Sequence, residues 1–331
     1  MKCRIGSLNC RSFKNHEIKD TETIAKIIHG EELDICALQE IQGKGAMNQL
    51  LSDLNYGQNG KWVGFHEQDS INRTGNDHYE YAFIWNTDHI NLPSKEYDYQ
   101  QIKFQNPVMP HIFKKYKILD MENGQKALRY EPLYGRFLFG DFLHKTKDKL
   151  PAPLWEIRVI NTHLMFSKGV ENAETDKGQL MMRRNELDVL IKNIYHKVSD
   201  RCYKVGSADT AYTILLGDYN MNRHDSGVKG NQLCSIHTPD EEYEVVCIRD
   251  ANKKKNIVTL QSELTTFKKL NEDDEQSEYL ANNYDHFTYD NGRFEEIKPQ
   301  ISRVDITKYC SKMDYYKDVS DHLPIVIELN F

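Results

Sequence analysis

Short apolar runs, each about as long as one β-strand, recur along the whole chain and constrain its fold more than any other feature. Eight runs have this character, at residues 4–8, 35–38, 81–85, 137–142, 157–161, 214–216, 285–289 and 325–329. Two segments between them, 21–30 and 179–198, place their apolar residues on one helical face. Strands interspersed with amphipathic helices predict a layered α/β fold, with two packed sheets flanked by helices.

The chain shows no repeat of fixed period and no convincing linker over its 331 residues, so we expect a single domain covering residues 1–331. No apolar run is long enough to cross a bilayer. The first ten residues, MKCRIGSLNC, contain no apolar leader segment. We therefore expect neither a membrane span nor a secretion signal.

Seven cysteines are scattered along the chain, and no two have CxxC spacing. An odd number without such a pair argues against a disulfide framework and against a structural zinc site. Reduced thiols are typical of the cytosol, so the expected location is cytoplasmic.

Local patterns add predictions about helix ends and loops. Either Thr21 or Thr23 is expected to cap the helix at 21–30. The segments 43–45, 73–77 and 268–278 are polar or glycine-rich and are predicted to be loops.

Polar residues lie at the ends of four predicted strands. They occur in the blocks Leu38-Gln39-Glu40, Asn161-Thr162-His163-Leu164, Gly217-Asp218-Tyr219-Asn220 and Ser320-Asp321-His322. Each block alone has a structural explanation as a solvated loop acid, a turn, an Asx turn or a helix cap. Four such blocks at strand ends favour a functional site, because loops on a rigid scaffold commonly carry binding groups.

The residue types at these strand ends suit phosphate-ester hydrolysis. Asp, Glu and Asn supply the hard oxygen ligands that Mg²⁺ or Mn²⁺ prefers. Imidazoles can transfer protons near neutral pH. The net charge of −7 means that any binding of nucleic acid would depend on metal and on local basic patches, such as 113–117, 253–255 and Arg183-Arg184.

Taken in order from Leu8 to Leu323, these motifs resemble those of the DNase I-like endonuclease/exonuclease/phosphatase superfamily. The resemblance implies a four-layered α/β sandwich with two mixed sheets and Mg²⁺ or Mn²⁺ as cofactor. It also implies a metal-dependent phosphodiesterase or phosphatase.

The resemblance further implies roles for single residues. The metal-binding positions match Asn9 in LNCRSF, Glu40 in LQEI and Asp321 in SDH. The catalytic imidazoles match His163 in NTHL and His322 in SDH, with Glu80 and Asp285 as the acids behind them. Asp218 and Asn220 in GDYN match the pair that positions the attacking water. Arg11 matches a substrate-binding arginine, and a second such arginine is assigned to Arg136, with Arg129 as the alternative.

The expected substrate follows from two blocks, NCRSF and YEYAFIW, which are closer to DNase I-like nucleases than to other branches. The 5-phosphatase blocks and the WNVNG-like opening of apurinic-site enzymes are absent. A nuclease acting on DNA is therefore expected. A phosphatase or phosphodiesterase for a phospholipid or a phosphorylated small molecule is the alternative, and a non-catalytic binding module is a third reading.

Overall fold

The computed structural model describes most of the chain, namely residues 1–13, 19–57, 61–66, 80–98, 103–113, 117–120, 124–128, 130–140, 155–164, 183, 186–201, 210–222, 235–236, 245–246, 257–260, 263–268, 270 and 279–331. Its described strands form two large mixed sheets and four small two-stranded pairs. Each large sheet has a parallel pair of strands near its centre, flanked by antiparallel neighbours.

The first sheet has six strands in the order β20-β21-β1-β2-β4-β3. These are β1 (Lys2–Phe13), β2 (Ile35–Ile41), β3 (Trp62–His66), β4 (Glu80–Asn86), β20 (Gln300–Arg303) and β21 (Ile325–Asn330). Strands β1 and β2 are parallel, whereas β21 runs antiparallel to β1. The start of β21 therefore lies at the same edge as the carboxyl ends of β1 and β2.

The second sheet has the order β16-β19-β13-β12-β11-β5, and β8 pairs with β11 outside this path. Its strands are β5 (Ile90–Asn91), β8 (His111–Ile112), β11 (Leu133–Phe139), β12 (Trp155–His163), β13 (Thr210–Asp218), β16 (Ile257–Leu260) and β19 (Asp285–Asp290). Here β12 and β13 are parallel, and β19 runs antiparallel to β13.

The remaining described elements are helices and small strand pairs. The helices are α1 (Thr21–Gly30), α2 (Lys44–Asn55), α3 (186–199, with a π-helical middle at Leu190–Tyr195), a 3₁₀ turn (Ile306–Lys308) and α4 (312–319, ending in the π-helical Tyr315–Val319). The small pairs are β6 (Ser94–Asp98) with β7 (Lys103–Pro107), β9 (Lys117–Asp120) with β10 (Gly124–Ala127), β14 (Ser235–Ile236) with β15 (Val245–Val246), and β17 (Thr266–Phe267) with β18 (Leu280–Asn282).

Alternating side chains divide the core into three apolar layers. Along β1, Cys3 and Ile5 face the core between the sheets. Leu8 and Cys10 face the opposite side and pack with α1, α2 and α4. A third cluster joins the outer face of the second sheet to α3. The order helix, sheet, sheet, helix confirms the predicted four-layered sandwich.

The structure agrees with the sequence prediction at every expected strand that it describes, and α1 has the predicted bounds. Two local predictions were wrong. The N-cap of α1 is Asp20, whose carboxylate accepts hydrogen bonds from the Thr23 backbone N–H (2.9 Å) and hydroxyl (2.6 Å). Residues 44–45 begin the helix α2, whose buried Ala46, Met47, Leu50 and Leu54 provide the apolar face that anchors it.

Several predictions concern residues outside the described part of the chain. These are the loops at 73–77 and 271–278, the basic residues 114–116 and 253–255, Arg129 and Arg184. Within the described residues, no helix has the length and apolar character needed to cross a bilayer.

Candidate active site

Polar side chains from both sheets converge where the central parallel strands end. Asn9 and Glu40 lie where the regular pairing of β1 with β2 ends, and His163 and Asp218 are paired in register at the ends of β12 and β13. Asp285 begins β19 directly opposite Asp218. The topology, with parallel strands ending and antiparallel strands beginning at one edge, thus brings distant sequence blocks together.

Asn9 lies at the centre of this group and is 1% exposed. Its Nδ2 donates to Glu40 Oε1 (3.1 Å) on the same sheet and to Asp218 Oδ2 (2.9 Å) on the other. Its Oδ1 accepts a hydrogen bond from the Arg11 backbone N–H (2.9 Å). A single buried amide therefore links the two sheets and orients both carboxylates.

The backbone at the ends of these strands leaves the extended conformation. Glu40 has φ 60°, and Arg11 and Ser12 have φ values of 44° and 55°. Leu38 packs on the outer face of β2. If β2 continued as a regular strand, Glu40, two residues later, would lie on the same face. The left-handed turn at Glu40 instead directs its carboxylate toward Asn9, and its second oxygen accepts from the Ser12 N–H (2.8 Å).

His322 is held by two carboxylates. Its Nδ1 lies 2.9 Å from Asp285 Oδ2, and its Nε2 lies 3.7 Å from Asp218 Oδ2. Burial alone would lower the pKa of His322, but the charges of Asp285 and Asp218 and the hydrogen bond to Asp285 outweigh it and raise the pKa to about 10. This imidazole is therefore protonated at neutral pH.

His163 has the opposite electrostatic balance. Its Nε2 is 3.5 Å from Asp218 Oδ2 and 4.0 Å from Glu40 Oε1. Burial lowers the pKa of His163, and the nearby Asp218 only partly opposes that shift. Tyr130 stacks on the ring with centroids 5.4 Å apart, and the Tyr81 hydroxyl accepts the backbone N–H of His163 (3.0 Å).

Asp218 is fixed by its own loop as well as by Asn9. The backbone N–H of Asn220 donates to Asp218 Oδ1 (2.7 Å), and the Asn220 side-chain amide donates to the Leu164 carbonyl (2.8 Å). Burial raises the pKa of Asp218, while the two histidines oppose that shift. The GDYN block is thus a rigid turn that holds one carboxylate between two imidazoles.

The donor set at the more open side of the site suits a hard cation. The Glu40 and Asp321 side chains are 14% and 35% exposed, whereas that of Asp218 is 2% exposed. The Nε of Arg11 lies 3.5 Å from Asp321 Oδ2, and the backbone N–H of the neighbouring Ser12 donates to Glu40. Carboxylate and amide oxygens of this kind fit Mg²⁺ or Mn²⁺.

A tighter cluster of possible ligands lies deeper. One ligand atom each from Asp218, Asp285 and His322 fall within 4.8 Å of one another. The Asp285 carboxylate, however, is already engaged by the His322 imidazole at 2.9 Å. His322 and Asp285 thus hold each other, whereas the carboxylates of Glu40 and Asp321 lie at the more exposed side of the site.

The structure does not bring Arg136, predicted as a substrate-binding residue, together with this group. On β11, Leu133 and Phe137 face the core between the sheets, and Arg136 lies on the opposite face. There it is 5% exposed, and its Nε and Nη2 donate to the buried Glu156 carboxylate at 2.8 and 3.0 Å. Every residue of β11 is buried, so the sequence pattern does not reveal which face a side chain occupies.

Two other residues predicted for the site, one arginine and one acid, have side chains outside the described part of the structure. Arg129 lies outside the described residues, and Glu80 is the first residue of β4, with its side chain outside the described part. Arg11 lies at the rim, where its guanidinium is 5.3 Å from the Tyr316 ring centre.

Ser320 is a site residue to which the sequence analysis gave no role. Its hydroxyl donates to the Asn9 carbonyl (2.6 Å) and accepts from the His322 N–H (3.0 Å). It is fully buried and directly follows the π-helical end of α4. A serine two residues before a predicted catalytic histidine was the available signal.

Comparisons with known proteins bear on the fold. No protein-family model matches the sequence, and no curated protein matches it either. An endonuclease/exonuclease/phosphatase from Bacteroides vulgatus is 11% identical with a TM-score of 0.51, and the match covers 100% of this chain and 99% of that one. TDP2 from Caenorhabditis elegans is 11% identical with a TM-score of 0.50, over 100% of this chain and 75% of that one. At this identity the similarity shows a shared fold, and the expected DNase I-like architecture is confirmed.

Proposed function

We propose that this protein is a metal-dependent hydrolase of phosphate esters and that it acts on DNA as a nuclease. One observation carries the proposal: hydrogen bonds run from Glu40 through Asn9 to Asp218 across the two sheets. At that junction Asp218 lies within 3.7 Å of both His163 and His322. The fold shared with the endonuclease/exonuclease/phosphatase from Bacteroides vulgatus also supports hydrolysis of phosphate esters.

In this proposal Asn9, Glu40 and Asp321 would hold Mg²⁺ or Mn²⁺. When bound, the cation stabilises negative charge on the phosphate oxygens and lowers the pKa of a bound water. Arg11, at the rim beside Asp321, contacts the substrate backbone.

Asp218 and Asn220 position the attacking water, because the Asp218 carboxylate is fixed from both sides and faces both imidazoles. His322 is protonated and can donate hydrogen bonds to phosphate oxygens or a proton to the leaving oxygen. His163 is neutral and can donate or accept one proton. Asp285 orients His322, and Glu80 is proposed to do so for His163.

The choice of DNA rests on the sequence blocks around Asn9 and Tyr81 and on the rim arginine. Arg11 stacks near Tyr316, an arrangement of cation and aromatic ring that suits a nucleic-acid strand. A cytoplasmic location is part of the same proposal and rests on the scattered cysteines.

The test is a substrate panel with Mg²⁺, with Mn²⁺ and with EDTA. Supercoiled plasmid, linear DNA and RNA are compared with inositol phosphates and sphingomyelin vesicles. We expect plasmid nicking or degradation that EDTA abolishes and either cation restores. Phosphate or headgroup release without DNA cleavage would replace DNA by a small-molecule or lipid substrate, and activity that survives EDTA would refute the metal requirement.

Two variants test the site in the same assay. His163→Ala and His322→Ala should each lower the hydrolysis rate by at least ~100-fold, the usual scale for positioned acid–base and electrostatic groups. Circular dichroism checks that each variant is folded. Wild-type rates in either folded variant would contradict its assignment, and hydrolysis of no substrate by the wild type would favour a binding module.

A further inference from the structure

Two fully buried amides, Gln39 and Asn161, form a bridge between the sheets beneath the candidate site. Both side chains are 0% exposed. Gln39 Nε2 donates to Asn161 Oδ1 at 2.7 Å, although the residues are 122 positions apart in the chain. Placing amides in an apolar core is costly unless they are hydrogen-bonded, so each side chain depends on the other.

The bridge has further partners on three strands of the first sheet. Gln39 Nε2 also lies 3.1 Å from the Ser7 hydroxyl. Asn161 Nδ2 donates to the Leu38 carbonyl (2.9 Å) and lies 3.4 Å from the Ala82 carbonyl. These contacts tie β12 of the second sheet directly to β2 and β4 of the first, and Gln39 extends the network to β1.

Three of the four strands in the bridge, β1, β2 and β12, carry a site residue one or two positions further along. Ser7 precedes Asn9 by two residues, Gln39 directly precedes Glu40, and Asn161 precedes His163 by two. Residues i and i+2 of a strand share a face, so Ser7 and Asn161 lie on the same faces as Asn9 and His163. The surrounding apolar contacts are non-directional and do not by themselves fix how the sheets are placed relative to one another.

We propose that Gln39 and Asn161 are positioning residues that fix the half-site of Asn9 and Glu40 relative to the half-site of His163 and Asp218. The inference rests on the function proposed above. A shift of about 1 Å between reacting groups can cost ~100-fold in rate. Loss of the bridge should therefore lower kcat by at least ~10-fold, with little change in KM, because Arg11 and the rim remain intact.

The test uses variants that remove the bridge while preserving side-chain shape. Gln39→Met and Asn161→Leu are made singly and together, since replacing both partners by apolar groups avoids an unpaired buried amide. The exchange Gln39→Asn with Asn161→Gln keeps the combined side-chain length and should recover part of the lost kcat. Tyr195→Phe is the matched control, because it removes buried hydrogen bonds to Thr213 and Asp290 outside the site.

A second readout does not need turnover. Tyr130 stacks on His163, so the ring-current-shifted imidazole resonance of His163 in NMR spectra reports how the His163 ring is placed against Tyr130. We expect that resonance to move in the double variant and to stay in place in Tyr195→Phe.

Unchanged kcat together with an unchanged His163 resonance in the folded double variant would overturn the proposal. If the wild type hydrolyses none of the substrates, the proposed function fails, and the resonance alone decides whether the bridge positions His163.

Discussion

His163 and His322 are both buried beside Asp218, yet their pKa values move in opposite directions. Burial dominates at His163 and lowers its pKa. At His322 the charge of Asp285, 2.9 Å away, and the charge of Asp218 together outweigh the effect of burial and raise the pKa. A buried acid directly behind one ring is thus enough to give two imidazoles of one site different charges at neutral pH.

The raised pKa of His322 predicts how stability depends on pH. A histidine whose pKa rises from 6.5 to about 10 on folding stabilises the protein fully below pH 6.5, and this contribution is lost as pH rises through about 10. Asp285→Asn removes the charge that most strongly raises the pKa of His322. As the pH rises between these limits, the free energy of unfolding of this variant should therefore fall less than that of the wild type. Urea denaturation of the metal-free proteins across this range measures the difference.

A control separates His322 from other groups that titrate in the same range. In a His322→Ala background, Asp285→Asn should leave the pH dependence unchanged. Equal pH slopes for the wild type and Asp285→Asn would contradict the charge coupling.

Arg136 and Arg11 provide an opposite pair of predictions. Arg136→Met removes two hydrogen bonds to the fully buried Glu156, which keeps its bond to Arg158 (2.8 Å). It should lower the free energy of unfolding by about 1–3 kcal/mol and leave kcat/KM unchanged. Arg11→Met should lower kcat/KM on DNA and leave stability nearly unchanged. Urea titration measures the free energy of unfolding, and plasmid cleavage measures kcat/KM. A loss of kcat/KM in folded Arg136→Met would instead support a role of Arg136 in substrate binding.

At the scale of elements, the site depends on how closely β12 and β13 approach where they end. Gly217 pairs with Thr162 and directly precedes Asp218. It has φ 135°, and a Cβ built there would lie 1.8 Å from the Thr162 carbonyl oxygen. Glycine therefore allows the chain to turn Asp218 toward Asn9 while the two strands remain paired.

The close approach predicts a large effect of Gly217→Ala. Its matched control is Gly43→Ala, where φ is also positive (112°) but no atom lies within 4 Å of the added Cβ. Both substitutions incur backbone strain, and only Gly217→Ala adds a steric clash. It should destabilise the protein by about 1–3 kcal/mol more than Gly43→Ala. Similar unfolding midpoints in urea for the two variants would refute the role of the Thr162 contact.

At the scale of the whole molecule, the two sheets share one apolar layer that extends from the site to the opposite edge. At that edge Trp155, the first residue of β12, stacks on Phe331 beyond β21 with ring centroids 4.7 Å apart. Hydrogen bonds between buried polar groups join the sheets at one edge and aromatic contacts join them at the other. We propose on this basis that residues 1–331 form one cooperative domain.

Trp155 offers a test of that cooperativity. In a Trp62→Phe/Trp85→Phe variant it is the remaining tryptophan of the three in the chain, and it reports contact between the sheets. We expect its fluorescence and the far-UV circular dichroism to change at the same urea concentration, as for a two-state domain. A separate, earlier fluorescence transition would indicate that the sheets part before they unfold.

Local periodicity in the sequence determined the strands, the helix α1 and the layered class of the fold, because alternation of apolar residues is read within a few neighbouring positions. It also marked the polar blocks at strand ends, from which the resemblance assigned site residues. The helix α2 was missed because its first turn contains glycine and its flanking residues resemble a loop, although its apolar spacing is helical.

Only the tertiary structure decided which of those residues meet. Asn9 and Asp218 are 209 positions apart, and their hydrogen bond exists because the sheets pack face to face. Arg136 lies on the outer face of β11, a strand whose residues are all buried, so the pattern of apolar residues does not show which face a side chain occupies. The bridge of Gln39 and Asn161 likewise depends on the placement of one sheet on the other. Contacts of this kind are set by packing between distant segments, and local sequence patterns do not encode them.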